Sequence, residues 1–517
     1  MNLGLFTLIA VLSNIILYHL PFFHYVTDHL KLNNPGSFAT MLCVSIALFG
    51  VNAFLFYLVA SISARFFKFF LIITSLGNAL AFYFVQTYSV ILDRSMMGNV
   101  FNTRYSEASA YFDPIIFLYI FLLGIIPAYI VYKTQLRNTP RKKLLLGGFG
   151  ALIFSVFVLY LNSFTWLWLD KHAKYLGGLS MPWSYSINAL RYEIKKQQKS
   201  KKQKLLPDGK FLNDTKVVVL LIIGESARAD HFSLYGYNKP TNPRLSNIDI
   251  IALKPVMATT TYTTGSVASI LAYDGSSSNE YEPLPNYLHR MGAYVEWRSK
   301  NWGAPNLNID HFIEAGELKQ TCQGDRCDYD EVLLTNLKQS IRKATKNKIF
   351  IVLHTAGSHG PTYYQKYPPS FEHFQPVCKT VDLKKCTQEE LFNAYDNTIY
   401  YTDYFLSKAI EQLKKLNMPS LMIYISDHGE SLGEYNLYLH GTPYAIAPRY
   451  QKEVPLLLWA SKQFLQQRAL NTLAIKKEEK YGQYNIFHTV LEALSLQSPI
   501  FNQKHNLLAN QKDQHEQ

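Results

Sequence analysis

Residues Leu421 to Glu430 read LMIYISDHGE: an apolar run closed by Ser426, Asp427, His428, Gly429 and Glu430. Five consecutive apolar residues bounded by polar ones predict a buried strand. Asp427 and His428 then emerge where the strand opens into a glycine-containing loop. In open α/β sheets that edge is where ligands and metals collect. An aspartate and a histidine offer a hard oxygen and an imidazole nitrogen, the donor types that suit zinc and similar ions. Alone, the pair reads equally well as an aspartate capping the next helix beside a surface histidine. Three other segments decide between those readings.

Outward from this stretch, apolar runs recur at 217–223, 349–353 and 454–459, separated by helical stretches. The alternation predicts an α/β domain with a largely parallel sheet, with Glu389 to Leu416 as one long helix between two strands. The first run ends in Gly224-Glu225-Ser226-Ala227-Arg228-Ala229-Asp230-His231, placing the Glu225 carboxylate just past a strand. A second segment, Thr259 to Ser266, is a dense hydroxyl cluster ahead of a helix, read either as capping chemistry or as the source of a nucleophile. Threonine becomes one when a metal lowers the pKa of its hydroxyl. The third run ends in His354-Thr355-Ala356-Gly357-Ser358-His359-Gly360, and His440 follows in a Gly/Pro turn, Leu439 to Tyr444. A threonine within reach of Glu225, Asp427 and His428 would complete a four-donor set, and His354, His359 and His440 come from the same kind of strand end or following loop.

The remaining chain is of another kind. Its 517 residues exceed one ordinary domain, and residues 1–165 are strongly apolar. Segments 3–23, 39–61, 67–88, 114–132 and 144–163 meet the about 20 residues needed to cross a bilayer. The first lacks a small-residue cleavage site and reads as a retained anchor. Arg65 and Lys68 lie in one connecting loop; Lys133, Arg137, Arg141, Lys142 and Lys143 lie in another. The positive-inside rule puts both in the cytoplasm, the N-terminus with them, and everything after the fifth crossing outside. Residues 164–215 form a bridge, with Trp166, Trp168 and Trp183 suited to the headgroup level and a lysine-rich run from Lys195 to Lys204 that reads as a solvated face, as a surface attracted to anionic lipid, or as both. The formal charge of +13 points to an anionic partner, and membrane lipid supplies it; no nucleic-acid motif is present. Cys322/Cys327 and Cys378/Cys386 are closely spaced pairs without metal-knuckle spacing, read as short-loop disulfides of an oxidising compartment. Cys43 lies in an apolar segment. The outer loop 89–113 reads, on spacing alone, as a solvated connector.

Together GESARADH (224–231), HTAGSHGPTY (354–363), NAYDNTIYYTD (393–403) and SDHGESLGEYNLYLHGTPYAIAP (426–448) resemble the phosphoethanolamine transferases, inner-membrane enzymes with an alkaline-phosphatase-like catalytic domain. The resemblance covers essentially the whole chain and implies a transmembrane domain (1–163), bridging helices (164–215) and a periplasmic catalytic domain (216–510). It implies zinc, one ion or two, bound by Glu225, Asp427, His428 and the nucleophile Thr263. His359 and His440 match residues that bind the phosphoryl group or a second zinc; His354 and Glu430 resemble supporting residues. Asn99, Thr103 and Glu107 fall where the family's membrane domain holds the ethanolamine headgroup, which replaces the connector reading. The implied donor is phosphatidylethanolamine, and the implied acceptor is lipid A or a related envelope molecule. The product would be a less negative surface that attracts cationic peptides less, made by a chain acting as a monomer. One departure stands out: many members carry a cysteine pair flanking the nucleophile where this chain has Thr259 and Ser269, which leaves Thr261 and Thr264 in contention with Thr263. Among rivals, a sulfatase would need a C/S-x-P-x-R word that is absent. A phosphoglycerol transferase of the lipoteichoic-acid type would lack the long His440 word, and a membrane-anchored sensor need not keep the ligand set.

Overall fold

The computed structural model describes residues 1–30, 35–102, 113–199, 203–380, 383–468, 470, 473, 475 and 481–508. The chain divides into two compact units, one formed by residues 1–101 and 112–194, the other by 102–111 and 195–517.

In the first unit, Pro35–Ile62, Ala64–Tyr88, Ile115–Lys133 and Arg141–Leu161 are each long and apolar enough to cross a membrane. The expected first crossing is a bent pair, Leu3–Tyr18 and Leu20–Leu30, with 64° between its halves. Pro21 explains the break, since it lacks an N–H and disfavours helix in the residue before it. The helix 115–133 also departs from regularity: residues Ile120–Ile125 form a π-helical turn just ahead of Pro127, and the Leu123 carbonyl accepts from Tyr18 Oη at 2.5 Å. Lys68 Nζ donates to the carbonyls of Tyr132 and Thr134 at 2.7 and 3.0 Å, and the N-terminal amine donates to the Gln135 carbonyl at 2.9 Å. Both basic loops and the N-terminus thus lie at one end of the bundle, as charge bias alone predicts. Asn14, Asn52 and Asn78, from three different helices, meet inside: Asn78 Nδ2 donates to Asn14 Oδ1 at 2.9 Å, and Trp183 Nε1 to Asn52 Oδ1 at 3.1 Å. Such polar contacts tie helices together where the hydrophobic effect supplies no drive.

The second unit is built on a seven-stranded sheet. Its strands in chain order are β1 (Val217–Gly224), β2 (Ile251–Ala252), β3 (Tyr294–Ser299), β4 (His311–Glu314), β5 (Lys348–His354), β6 (Ser420–Ser426) and β7 (Leu456–Ala460), arranged β2-β7-β6-β1-β5-β3-β4. The five strands from β6 to β4 are parallel, while at the other edge β7 runs antiparallel to β6 and β2 antiparallel to β7. Every residue of β1, β5 and β6 is buried, which is why these strands are unbroken apolar runs. The long helix spans Gln388–Lys414, opened by a capping box between Thr387 and Glu390. Both expected disulfides, Cys322–Cys327 and Cys378–Cys386, are formed, and Cys43 is free.

Candidate active site and metal centre

Parallel register assembles the site. Gly224 pairs with Ser426 and Ile223 with His354, while Ser299 of β3 also pairs with His354. The residues that follow these strand ends, Glu225, Asp427, Thr355 and Asn301, leave the sheet at one edge.

Each donor there is held by its own bonds. Asp427 Oδ1 accepts from the backbone N–H of Ser226 (3.1 Å) and of His428 (2.7 Å). His428 donates from Nδ1 to the Gly429 carbonyl at 3.0 Å, leaving Nε2 with a bare lone pair, 3.4 Å from Glu225 Oε1 and 3.3 Å from Asp427 Oδ2. Glu225 Oε1 accepts from Ser226 Oγ at 2.8 Å, and Oε2 accepts from Asn301 Nδ2 at 2.7 Å. Thr263, the first residue of the helix Thr263–Ile270, is fully buried. Its hydroxyl donates to Glu225 Oε2 at 3.2 Å and lies 3.4 Å from His428 Nε2. Thr261 faces another way: its Oγ1 donates to the Thr442 carbonyl at 2.6 Å.

These residues fit a divalent cation. Donor atoms of Glu225, Asp427 and His428 lie within 4.8 Å of one another, all buried. Asp427 Oδ2 is buried with no hydrogen-bond partner among the described residues, a costly state for a carboxylate unless a cation meets it. The His428 tautomer, with Nδ1–H on a carbonyl and Nε2 turned to the carboxylates, is the arrangement metal-ligating histidines adopt. Burial, then Asp427, pushes the Glu225 carboxyl up to about 7. Burial likewise raises Asp427 to about 7 and lowers His428 to about 4. Two stacked carboxylates beside a neutral imidazole are what a cation would draw back into ionised form.

A second group shares Glu225 with His359 and His440. Their rings are 5.0 Å apart, and the His440 ring is 4.3 Å from that of His428. His359 donates from Nδ1 to the Gly360 carbonyl at 2.7 Å, and burial holds it neutral. His440 Nδ1 lies 3.3 Å from Glu430 Oε1, whose carboxyl burial raises to about 8. Gly357 makes the His359 loop possible. It has φ +49°, and an added Cβ would lie 2.6 Å from the Glu225 carbonyl oxygen, so only glycine lets the two backbones touch.

His354 closes β5 but packs edge-on against Trp297 at 5.7 Å and belongs to neither donor group. Asn99 lies half-buried on the helix Arg94–Asn102 of the first unit; Thr103 and Glu107 lie outside the described residues. Thr259 Oγ1 and Ser269 Oγ are 2.6 Å apart, so a hydroxyl pair joins the positions where the resemblance implies a disulfide. Sequence reading missed Asn301, Ser226 and Asp330. The last accepts from the backbone N–H of Ala356 and Gly357, both at 2.9 Å. Asn301 was findable only with β3, two residues ahead of it.

A largely parallel sheet with carboxylates and imidazoles gathered at its edge around a buried hydroxyl is the alkaline-phosphatase-like class, and residues 218–496 match the family described as Sulfatase. Residues 48–197 match the family described as Phosphoethanolamine transferase EptA/EptB. The chain is 40% identical to phosphoethanolamine transferase EptA of Helicobacter pylori over 514 residues, 96% of this chain and 95% of that one. It is 34% identical to the EptA of Salmonella typhimurium over 466 residues, covering 84% and 83%. Among solved structures, the integral membrane lipooligosaccharide phosphoethanolamine transferase A of Neisseria meningitidis superposes with a TM-score of 0.88 at 25% identity, covering 97% of each chain. The chain belongs to the phosphoethanolamine transferase family, and its catalytic unit is the periplasmic part of an inner-membrane protein.

Proposed function

We propose that this chain moves phosphoethanolamine from phosphatidylethanolamine to lipid A or a related envelope acceptor, with Thr263 as the transient carrier. The observation that supports it most is the Thr263 hydroxyl seated between Glu225 and His428. Glu225, Asp427, His428 and Thr263 would hold one zinc ion, and His359 with His440 would meet the phosphoryl oxygens. Bound there, zinc supplies Lewis acidity, lowering the pKa of a hydroxyl and offsetting charge on phosphoryl oxygens. In the first half-reaction Thr263 Oγ1 bonds to the donor phosphorus as the bond to the diacylglycerol oxygen breaks. The hydroxyl already donates to Glu225 Oε2, so the departing proton has an aligned acceptor. The proton taken by Glu225 leaves on the diacylglycerol oxygen. In the second half-reaction an acceptor oxygen bonds to the same phosphorus as the bond to Thr263 Oγ1 breaks, and Oγ1 takes a proton back to restore the hydroxyl. Asn99, Thr103 and Glu107 are assigned to the ethanolamine headgroup, and Glu430 to orienting His440. The domain limits 1–163, 164–215 and 216–510 and a monomeric state belong to the same reading.

Mass spectrometry of lipid A from cells expressing the chain tests it. Added phosphoethanolamine is expected with the native chain, none with Thr263→Ala, and a phosphoethanolamine ester on Thr263 in protein quenched during turnover. Modification by Thr263→Ala would refute the carrier assignment, and added phosphoglycerol would favour the lipoteichoic-acid type of transferase. One zinc per chain is expected by elemental analysis. Two would place the second with Glu225, His359 and His440, and a chain with neither metal nor activity would be a sensor.

A further inference from the structure

Glu430 and His440 stand at the two ends of a hairpin, Ser431–Leu432 against Tyr438–Leu439. Its backbone is strained. Tyr435, Asn436 and Leu439 have φ of +55°, +58° and +64°, in the left-handed region that is unfavourable for residues other than glycine. Tyr435 is 82% exposed, so burial of its ring does not offset that cost. Something else must hold the turn.

Arg228 does so. Its side chain is 2% exposed, and a buried guanidinium requires partners. Nε and Nη2 donate to the two oxygens of Asp230 at 2.9 and 2.8 Å. Nη1 donates to Glu434 Oε1 at 2.5 Å and to the Glu430 carbonyl at 3.3 Å. Its Cζ lies over the Tyr450 ring, 4.4 Å from the centroid. Glu434 Oε2 then accepts from the Leu432 N–H at 2.7 Å, tying off the turn from within. The backbone of Arg228 is fixed as well: its N–H donates to Tyr395 Oη at 2.8 Å, and that hydroxyl donates to the Ser226 carbonyl at 2.6 Å. One residue thus ties the loop carrying Glu225 to the hairpin carrying Glu430 and His440.

We propose that Arg228 is a positioning residue that sets His440 against Glu225, so that both meet the transferred phosphoryl group. This rests on the function proposed above. Glu225, Asp427 and His428 do not depend on the brace, being held by strand ends, Asn301 and backbone N–H groups. Full-length protein in detergent tests the proposal with Arg228→Ala, Arg228→Lys, Glu434→Gln and His440→Ala. In Arg228→Ala, kcat should fall about 10- to 100-fold, the scale seen when a group orienting a site residue is lost, with KM and zinc content unchanged. Arg228→Lys, which keeps the charge without the fork, should restore only part of this. Free guanidinium should recover activity in Arg228→Ala and none in His440→Ala. Independently of turnover, amide exchange across 431–439 should quicken at least tenfold while that of 420–427 stays native. If Arg228→Ala fails to fold, Glu434→Gln decides by the same exchange and kcat readings. Native exchange in the hairpin, or zinc lost in step with activity, would overturn the proposal. A native chain without transferase activity would count against the proposed function alone, leaving the exchange experiment to judge the brace.

Discussion

Replacing Asn301 by alanine should damage the site more than its sequence suggests. The Asn301 amide donates to Glu225 Oε2 at 2.7 Å and to the Thr355 carbonyl at 2.9 Å, and its Oδ1 accepts from the Trp302 N–H at 2.7 Å. With a cation holding Glu225 ionised, the first is a charge-assisted bond, of a kind that contributes about 1.5–3 kcal/mol. If that energy orients Glu225, its loss corresponds to about 10- to 100-fold. Asn301→Ala should therefore weaken zinc affinity or transfer rate by that factor, read by chelator competition and by mass spectrometry of the product. It should also lower the melting temperature, because the buried Trp302 N–H loses its acceptor. Asn301→Asp separates the effects: it can keep the Trp302 bond while setting a third carboxylate against Glu225. Its fold should therefore suffer less and its site at least as much. Native zinc affinity and rate in both variants would refute the idea that Asn301 aims Glu225.

Two further outcomes follow from single contacts. His488 is buried, with Nε2–H donating to the Tyr273 carbonyl at 2.7 Å and Nδ1 accepting from the Asn502 N–H at 3.2 Å; burial lowers its pKa from 6.5 to about 4. The unfolded chain binds the extra proton first, so this stabilisation is complete above pH 6.5 and is lost as pH falls towards 4. The loss is up to about 3 kcal/mol, and denaturant melts at stepped pH should show that slope reduced in His488→Gln. The Thr259–Ser269 hydroxyl pair predicts that the double variant Thr259→Cys/Ser269→Cys forms a disulfide in the periplasm. Closing so short a loop should add about 2–3 kcal/mol. A thiol count on denatured, unreduced protein should find Cys43 alone, and finding both new cysteines free beside it would show the geometry unsuited.

How much of this was legible depends on where each residue's constraint lies. Strands β1, β5 and β6 are buried on both faces, so their composition declares them, and Glu225 and Asp427 were found because they directly follow such runs. β3 hides the same architecture behind charge. Glu296 and Arg298 are both buried and paired, Arg298 Nε donating to Glu296 Oε1 at 2.5 Å, so the alternation reads as half-polar and Asn301 loses its landmark. β2 and β4 are two and four residues long, too short for periodicity to speak. In the first unit the bend after Tyr18 was signalled by Pro21, while hydropathy alone blurred two helices into one crossing. Thr263 was selected over its neighbours by resemblance; the geometry that separates it from Thr261 depends on Gly441 and Thr442, whose backbone holds Thr261 from both sides.

The site therefore has two halves of different mechanical origin. Glu225, Asp427 and His428 are set by parallel register, which the whole core defends, since shifting one strand by a residue would turn every side chain to the opposite face. His359 and His440 are set by loops, one held through Asp330 and Gly357 and the other through Arg228, Glu434 and Gln451. Gln451 Nε2 donates to Ser431 Oγ at 2.9 Å and to the Leu439 carbonyl at 3.2 Å, on the same hairpin. Substitutions among these braces should lower turnover at constant metal content, whereas substitutions at Asn301 reach the metal-holding half itself. Under the proposed function, group transfer between two lipids needs a fixed point to activate the Thr263 hydroxyl and an adjustable wall to meet two different phosphoryl environments. A sheet edge supplies the first and braced loops the second. If variants of Asp330 and Gln451 lost metal as readily as those of Asn301, the two halves would be one mechanical unit, and this division would fail.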